Sequence, residues 1–237
     1  MPSAEINQPA INRLLAALPK KEYQRLLPDL ESVSLIFGDI IFEPGDRLRH
    51  VYFPHQDAII SLLSAVEDRE HLEVGMVGDD GMAGLHVFMG VARSRTRGLV
   101  QGGGTAMRMK AATLHKETGQ GGALHKLLNR YTNALMTQIS QSAACNRFHS
   151  VNVRLARWLL MTHDRVEGDE FRMTQEFLSH MLGVRREGVT LTASVLQKRK
   201  LIRYSRGHIK ILDRAGLEAA ACKCYRVVKD EYDNFLN

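Results

Sequence analysis

The chain has 237 residues, 44% hydrophobic and 24% charged, an ordinary balance for one large or two smaller globular domains with a real core. No run approaches the ~18–20 consecutive apolar residues of a membrane span, and Met1 to Leu18 lacks the basic start and apolar run of a secretory signal. Three cysteines cannot all pair, which points to a reduced, cytoplasmic setting, and 32 Lys and Arg against 26 Asp and Glu leave a net charge of +6, which permits a polyanionic partner.

Ile11 to Leu27 carries apolar residues at helical spacing and is broken by Pro19 and Pro28, which predicts a short helical start. From Ser32 to Lys110 the texture changes to short apolar runs: Val33–Phe37, Ile40–Phe42, Val51–Phe53, Ala58–Leu63, Leu72–Val77 and Ala106–Met109. Turn material separates them, as at Glu43-Pro44-Gly45-Asp46, Glu67-Asp68-Arg69 and Gly78-Asp79-Asp80-Gly81. Short strands so punctuated predict an antiparallel sandwich or barrel. Arg93 to Arg97 reads as a loop before a strand, and Gly102-Gly103-Gly104 as a turn before the last one.

The period then shifts. Ala123 to about Ser150 contains no Gly or Pro, and Leu124, Leu127, Leu128, Tyr131, Leu135, Met136, Ile139, Ala143 and Phe148 keep a spacing of three to four residues. This predicts one long helix with more apolar stripe than a small neighbouring domain can cover, and burial against a second copy is the economical solution. A second helix over Asn152 to Arg165 contains the only tryptophan, Trp158, expected to pack in the core or at a domain junction.

Thr174 to Arg203 is the informative stretch. Thr174 can cap a helix whose apolar face is Phe177, Leu178, Met181 and Leu182; Gly183 permits a positive-φ turn; a second helix runs from about Arg185 to Arg199. Val189, Thr192 or Ala193, and Leu196 form its inner face, while Arg185, Arg186 and Glu187 begin its outer one. This is the pattern of a helix-turn-helix, whose second helix starts in the major groove of DNA. Behind it, Lys200 to Tyr204, the turn Ser205-Arg206-Gly207-His208 and Ile209 to Leu212 form a basic hairpin, a wing. From Arg185 to Lys210, eight basic residues face one acidic residue, so these 26 positions carry +7 and the rest of the chain about −1. A solvated charged face accounts for many basic runs, but such concentration favours phosphate binding.

This order of parts resembles the Crp/Fnr family of bacterial transcription regulators, from about Leu27 to Leu217. Thr174 to Thr190 is similar to that family's helix-turn-helix signature, and Phe42-Glu-Pro-Gly-Asp46 with Val51-Tyr-Phe53 resembles the first hairpin of its sensor domain. The resemblance implies an α+β fold: an N-terminal antiparallel, jelly-roll-like β-roll over 1–117, a long dimerisation helix over 118–150 and a C-terminal winged helix-turn-helix over 151–237. It implies a regulator, not an enzyme, with double-stranded DNA, a second copy of itself and RNA polymerase as partners, and no membrane. Arg186 and Glu187 match the family's Arg-Glu pair, which suits guanine O6/N7 and cytosine N4. The family's second Arg falls on Leu191 here, so Thr190 or Arg185 contributes to base reading instead. Thr174, Gln175, Ser205 and Arg206 are expected to hold the DNA backbone.

In relatives that bind a cyclic nucleotide, Gly-Glu holds the ribose and Arg-Ser/Thr the phosphate. The matching residues here are Gly78, Asp79 and Asp80, then Arg95 and Thr96, with Asp one methylene shorter than Glu. No cofactor is therefore expected, and a cyclic nucleotide is the less favoured effector. An iron–sulfur cluster of the kind found in oxygen-sensing relatives lacks its cysteines, because none precedes Cys145. Cys222 and Cys224 have only His208 as an obvious nearby partner, and Cys145 and His149 share a helix face; both pairs read as packing residues, and no metal is expected. The contrasting reading is a cyclic-nucleotide-responsive binding protein whose basic C-terminal part takes RNA or an acidic protein. No nucleophile–base pair or phosphate-binding P-loop speaks for catalysis.

Overall fold

The computed structural model describes residues 12–67, 70–119 and 121–236. Two short helices, α1 (Arg13–Ala16) and α2 (Lys20–Leu26), open them; Pro19 takes the N-cap of the second, and Leu14, Leu15, Leu18 and Leu26 are buried. Ile11 and the turn at Asp68-Arg69 lie outside the described residues. Seven strands follow: β1 (Glu31–Leu35), β2 (Ile40–Phe42), β3 (His50–His55), β4 (Ile59–Glu67), β5 (Glu70–Val77), β6 (Arg97–Gly102) and β7 (Gly104–Lys110). They form two antiparallel sheets, ordered β1-β7-β3 and β2-β6-β4-β5. Val51, Phe53 and Met109 from one sheet and Phe42, Ile60, Met76 and Val100 from the other enter one core, as a roll requires.

Two details of the roll differ from expectation. The first strand lies two residues earlier than Val33–Phe37, and Phe37 instead stacks on Phe177 at 5.2 Å between ring centroids. The strand expected after the Arg93–Arg97 loop, for which the sequence set no bounds, is β6, which begins at Arg97 within that loop and lies between β2 and β4 in the larger sheet.

A short helix, α3 (Ala111–Thr118), leads to the long one, α4 (Ala123–Phe148). Gly122 has no side chain to cap α4, so the carboxylate of Glu22 reaches over from α2 and accepts from the N–H groups of Ala123 (3.0 Å) and Leu124 (3.2 Å). Much of the stripe of α4 is covered within the chain: Leu124, Leu127, Leu128, Tyr131 and Leu135 are buried. Gln138, also buried, accepts from Met76 N (2.5 Å) and donates to Met76 O (3.2 Å), satisfying the edge of β5. Met136, Ile139 and Phe148 are left exposed.

The C-terminal part comprises α5 (Val151–His163), β8 (Glu170–Arg172), α6 (Gln175–Leu182), α7 (Arg186–Lys198), β9 (Ile202–Ser205), β10 (His208–Ile211), α8 (Arg214–Ala220) and α9 (Lys223–Leu236). β8 joins the hairpin to make a three-stranded sheet ordered β8-β10-β9. The sequence predicts one C-terminal helix over Ala215 to Phe235; the chain instead breaks at Ala221, whose ψ of 169° is extended. That break lets α9 turn back along α4, where Tyr232 and Phe235 pack on Tyr131.

Candidate nucleic-acid interface

The side chain of Thr174 accepts from Phe177 N at 3.1 Å and so starts α6, while its hydroxyl proton remains available. Gly183 ends α6 at φ 59°, the left-handed region that favours glycine, and Val184 N closes the turn on Ser179 O at 3.0 Å. Ser179 is buried under this crossing, and Val189, Thr192, Ala193 and Leu196 of α7 are buried against it. Arg185 takes the N-cap position of α7, so Arg186, Glu187 and Thr190 lie at its exposed beginning.

The wing turn is Arg206-Gly207, at φ 49° and 78°, with His208 opposite Ser205. Two positive φ values in a two-residue hairpin are the type I′ geometry. Gln197 ties this hairpin to α7: its Oε1 accepts from Tyr204 N at 2.7 Å. Between them opens a cleft of about 430 Å³ lined by Thr174, Gln175, Arg186, Thr190, Ser205 and Arg206, with Ser194, Gln197 and Tyr204 at its back. Six of the eight residues expected to contact DNA thus share one cleft. Arg185 and Glu187 stand outside it on exposed backbone at the α7 start.

Electrostatically, this region differs from the rest. All eight cations of Arg185 to Lys210 are exposed, and none has an ion-pair partner among the described residues. Elsewhere Arg25, Arg97, Arg108, Arg165 and Arg214 are each matched by a carboxylate. Tyr204 hides its hydroxyl without a partner among the described residues; burial pushes its pKa up to about 12, against the pull of Arg186. The sequence reading missed Gln197 and Tyr204, while Leu191, at the family's second Arg position, faces outward at 70% exposed. Neither Gln197 nor Tyr204 carried a sequence signal of its own.

The five residues expected at an effector site are placed differently. Asp80 is buried and ion-paired with Arg165 of the loop after α5, at 2.7 Å. Burial works against the Arg165 charge, but Asp80 outweighs it and holds the pKa of Arg165 up. Gly78 is needed there, since a Cβ would lie 2.6 Å from Arg165 Cδ. Burial, then the neighbouring Asp80, raises the pKa of Asp79 to about 6. Arg95 is exposed, and Thr96 shares a turn with Ser94, whose hydroxyl donates to Thr96 O at 2.7 Å. The cleft that the roll does open, about 380 Å³ between Phe42, Arg47, Arg49 and Tyr52, includes none of the five.

The cysteines depart most from expectation. Cys145, His149, Cys222 and Cys224 converge, with their Sγ and ring nitrogen atoms all within 4.8 Å of one another. His208, the partner that sequence proximity suggested, faces Glu170 at 3.8 Å instead.

A β-roll followed by a long helix and a winged helix-turn-helix with an unpaired basic face is the architecture of a DNA-binding regulator. Residues 153–220 match the Crp-like helix-turn-helix domain. No curated protein matches the chain in sequence. In fold it is similar to FixK2 from Bradyrhizobium japonicum (16% identity, TM-score 0.69, covering 81% of this chain and 98% of that one). It is similar to TTHB099, a CRP-family transcriptional regulator from Thermus thermophilus (18%, 0.65, 80% and 96%). It also resembles CLP of Xanthomonas campestris, a global regulator responsive to c-di-GMP (15%, 0.61, 81% and 99%). Residues 153–220 thus form a Crp-like helix-turn-helix domain, and the chain shares its fold with these solved structures. Among the described residues no helix is long and apolar enough to cross a membrane.

Proposed function

We propose that the chain is a homodimeric, sequence-specific transcription regulator that lays the start of α7 in the major groove of a two-fold operator. The observation that carries this reading is the cluster of eight exposed cations without carboxylate partners among the described residues, five of them at the two ends of α7 and three on the wing hairpin directly behind it. Duplex phosphates supply what the protein withholds. In this reading Arg186 donates twice to a guanine and Glu187 accepts from a cytosine amine. Leu191, where the family carries a second Arg, meets a thymine methyl, and Thr190 and Arg185 flank these contacts. Thr174, Gln175, Ser205 and Arg206 bind phosphates and set the register.

The division of labour follows the boundaries near 117 and 150: roll, dimer helix, DNA-binding unit. Met136, Ile139 and Phe148, exposed along α4, suit the seam between two copies. The three free cysteines fit a reducing cytoplasm, and RNA polymerase enters as partner from the family alone. A cyclic nucleotide at Gly78, Asp79, Asp80, Arg95 and Thr96 forms no part of the reading, because Asp80 already neutralises Arg165.

Selection from random duplexes by the purified full chain tests the proposal. Enrichment of a palindrome with half-sites about 34 Å apart is expected. Arg186→Ala should lose ~1–3 kcal/mol and relax preference at one base pair of each half-site. Equal binding of all duplexes by the unmodified chain, or a preference for RNA over duplex DNA, would sink it.

A further inference from the structure

Cys145 and His149 lie one turn apart at the end of α4, and Cys222 and Cys224 sit at the junction where α8 gives way to α9. The extended residue Ala221 brings these two pairs together: Cys145 Sγ is 3.5 Å from Cys222 Sγ, and Cys224 Sγ is 3.8 Å from His149 Nδ1. A tetrahedral zinc ion with Zn–S bonds of about 2.3 Å holds its sulfurs about 3.8 Å apart, so the Cys145–Cys222 pair at 3.5 Å must open slightly while the wider pairs, all within 4.8 Å, close to fit. Cys145 and Cys224 are buried, whereas His149 and Cys222 are half-buried, which leaves a path of entry from one side.

The surroundings also fit. Three thiolates, a neutral imidazole and a dication sum to one negative charge, which needs a cation nearby. Arg157 of α5 supplies it: its guanidinium is buried, donates to Ser142 Oγ at 3.0 Å one turn before Cys145, and has no partner for Nε among the described residues. A buried guanidinium so lightly paired is costly unless an anion stands beside it.

We propose that Cys145, His149, Cys222 and Cys224 form a tetrahedral site for a borderline-soft divalent cation of the zinc type, pinning the end of the long helix to the helices that follow the wing. The three thiols give up their protons on binding and nothing is oxidised or reduced. Four protein ligands leave no open position, so the site is structural or regulatory, not hydrolytic. One turn before Arg157 on α5, Arg154 donates to the carbonyl of Leu182, the last residue of α6. The cation that balances the occupied site, Arg157, therefore lies one helical turn from a contact to the helix-turn-helix itself.

The test uses the full chain, purified under anaerobic, reducing conditions, stripped of metal and titrated with Co2+. One equivalent per chain should bind, with the near-ultraviolet thiolate-to-cobalt charge-transfer band and the intense visible bands of tetrahedral Co2+, both bleached by Zn2+. Elemental analysis of the protein as isolated should find zinc near one per chain. Cys222→Ser, at a half-buried helix junction, should keep the circular dichroism spectrum while weakening Co2+ by more than the ~10–100-fold that loss of an outer-sphere partner alone costs. His149→Ala should shift the visible bands. The proposal is overturned if the unmodified chain gives only the pale spectrum of hexa-aqua Co2+, or if Cys222→Ser reproduces its spectrum and affinity. It is overturned equally if the isolated protein holds a Cys145–Cys222 disulfide and takes up no metal after reduction. The first of these outcomes needs no variant, so misfolding of a mutant leaves the test intact.

Discussion

The indole Nε1 of Trp158 donates to Glu73 Oε1 at 2.9 Å, joining α5 to the edge strand of the roll. Ser61 Oγ donates to the other carboxylate oxygen at 2.7 Å, so this glutamate is fully enclosed at the seam between the two halves of the chain. Burial raises its pKa from 4.5 to about 7, against the lowering effect of those two hydrogen bonds and of Arg157.

A carboxyl with a folded pKa above its unfolded one holds its proton more tightly in the native chain. Stability therefore falls as pH rises from about 4.5 to about 7, by up to ~1.4 kcal/mol per pH unit, and stays low above that window. Asp79, raised from 3.8 to about 6, acts with the same sign in its own window. Glu73→Gln cannot ionise and can still accept from Trp158. Urea titrations should show the unmodified chain losing stability relative to Glu73→Gln between pH 5 and 7, with the difference flat above about pH 7. A difference that instead grows in favour of the glutamate as pH rises would mean that Glu73 is ionised and paired.

The Asp80–Arg165 pair lies at the same seam, with Arg165 also stacked over the Tyr232 ring at 5.1 Å. Removing one partner strands a buried charge, so Asp80→Ala should cost about 3–5 kcal/mol. Replacing both, Asp80→Ala with Arg165→Met, should recover part of that loss. A single-variant cost below ~1 kcal/mol in denaturant titration would show the pair to be wetted and weak.

The proposed dimerisation through α4 rests on its uncovered positions, chiefly Met136 at 62% exposed and Phe148 at 76%. Met136→Glu combined with Ile139→Glu puts two like charges on each side of a two-fold seam while leaving the buried face of α4 untouched. Sedimentation equilibrium at micromolar concentration should find a dimer for the unmodified chain and a monomer for the double variant, with intact circular dichroism. An unchanged dimer would move the interface elsewhere.

What the sequence disclosed follows from how local each signal is. The helix-turn-helix was legible because Thr174, Gly183 and the Arg-Gly turn each act within four residues. The bounds of β6 were not, because Arg97-Gly98-Leu99-Val100 has little apolar pattern; Gly98 is there because a Cβ would meet the Phe42 ring at 2.6 Å, a demand set by another strand. Likewise Gly78 and Gly81, which read as turn glycines with Gly78 at a ribose site, are excavated for Arg165 and Tyr131. The break at Ala221 carries no Gly or Pro, so the C-terminal helix looked continuous and Cys222 looked distant from Cys145, 77 residues away. The cysteine cluster is a product of that one unsignalled turn.

The wing tip carries a conflict between stability and recognition. Arg206 occupies φ 49°, a left-handed conformation that costs an ordinary L-residue about 1–2 kcal/mol and that Asn tolerates better. The type I′ turn favours Asn-Gly, yet the chain places an exposed guanidinium there beside the cleft that contains Arg186. Arg206→Asn should therefore stabilise the fold by several tenths of a kcal/mol to about 1 kcal/mol while weakening duplex DNA uniformly across sequences. If Arg206 touches one phosphate, the slope of log K against log salt should fall by about 1. Fluorescence anisotropy over a salt series, run with thermal denaturation of the same two proteins, reads both quantities. A variant that is stabilised but keeps its salt slope would remove Arg206 from the phosphate contacts, and a variant whose losses depend on base sequence would move it into the groove.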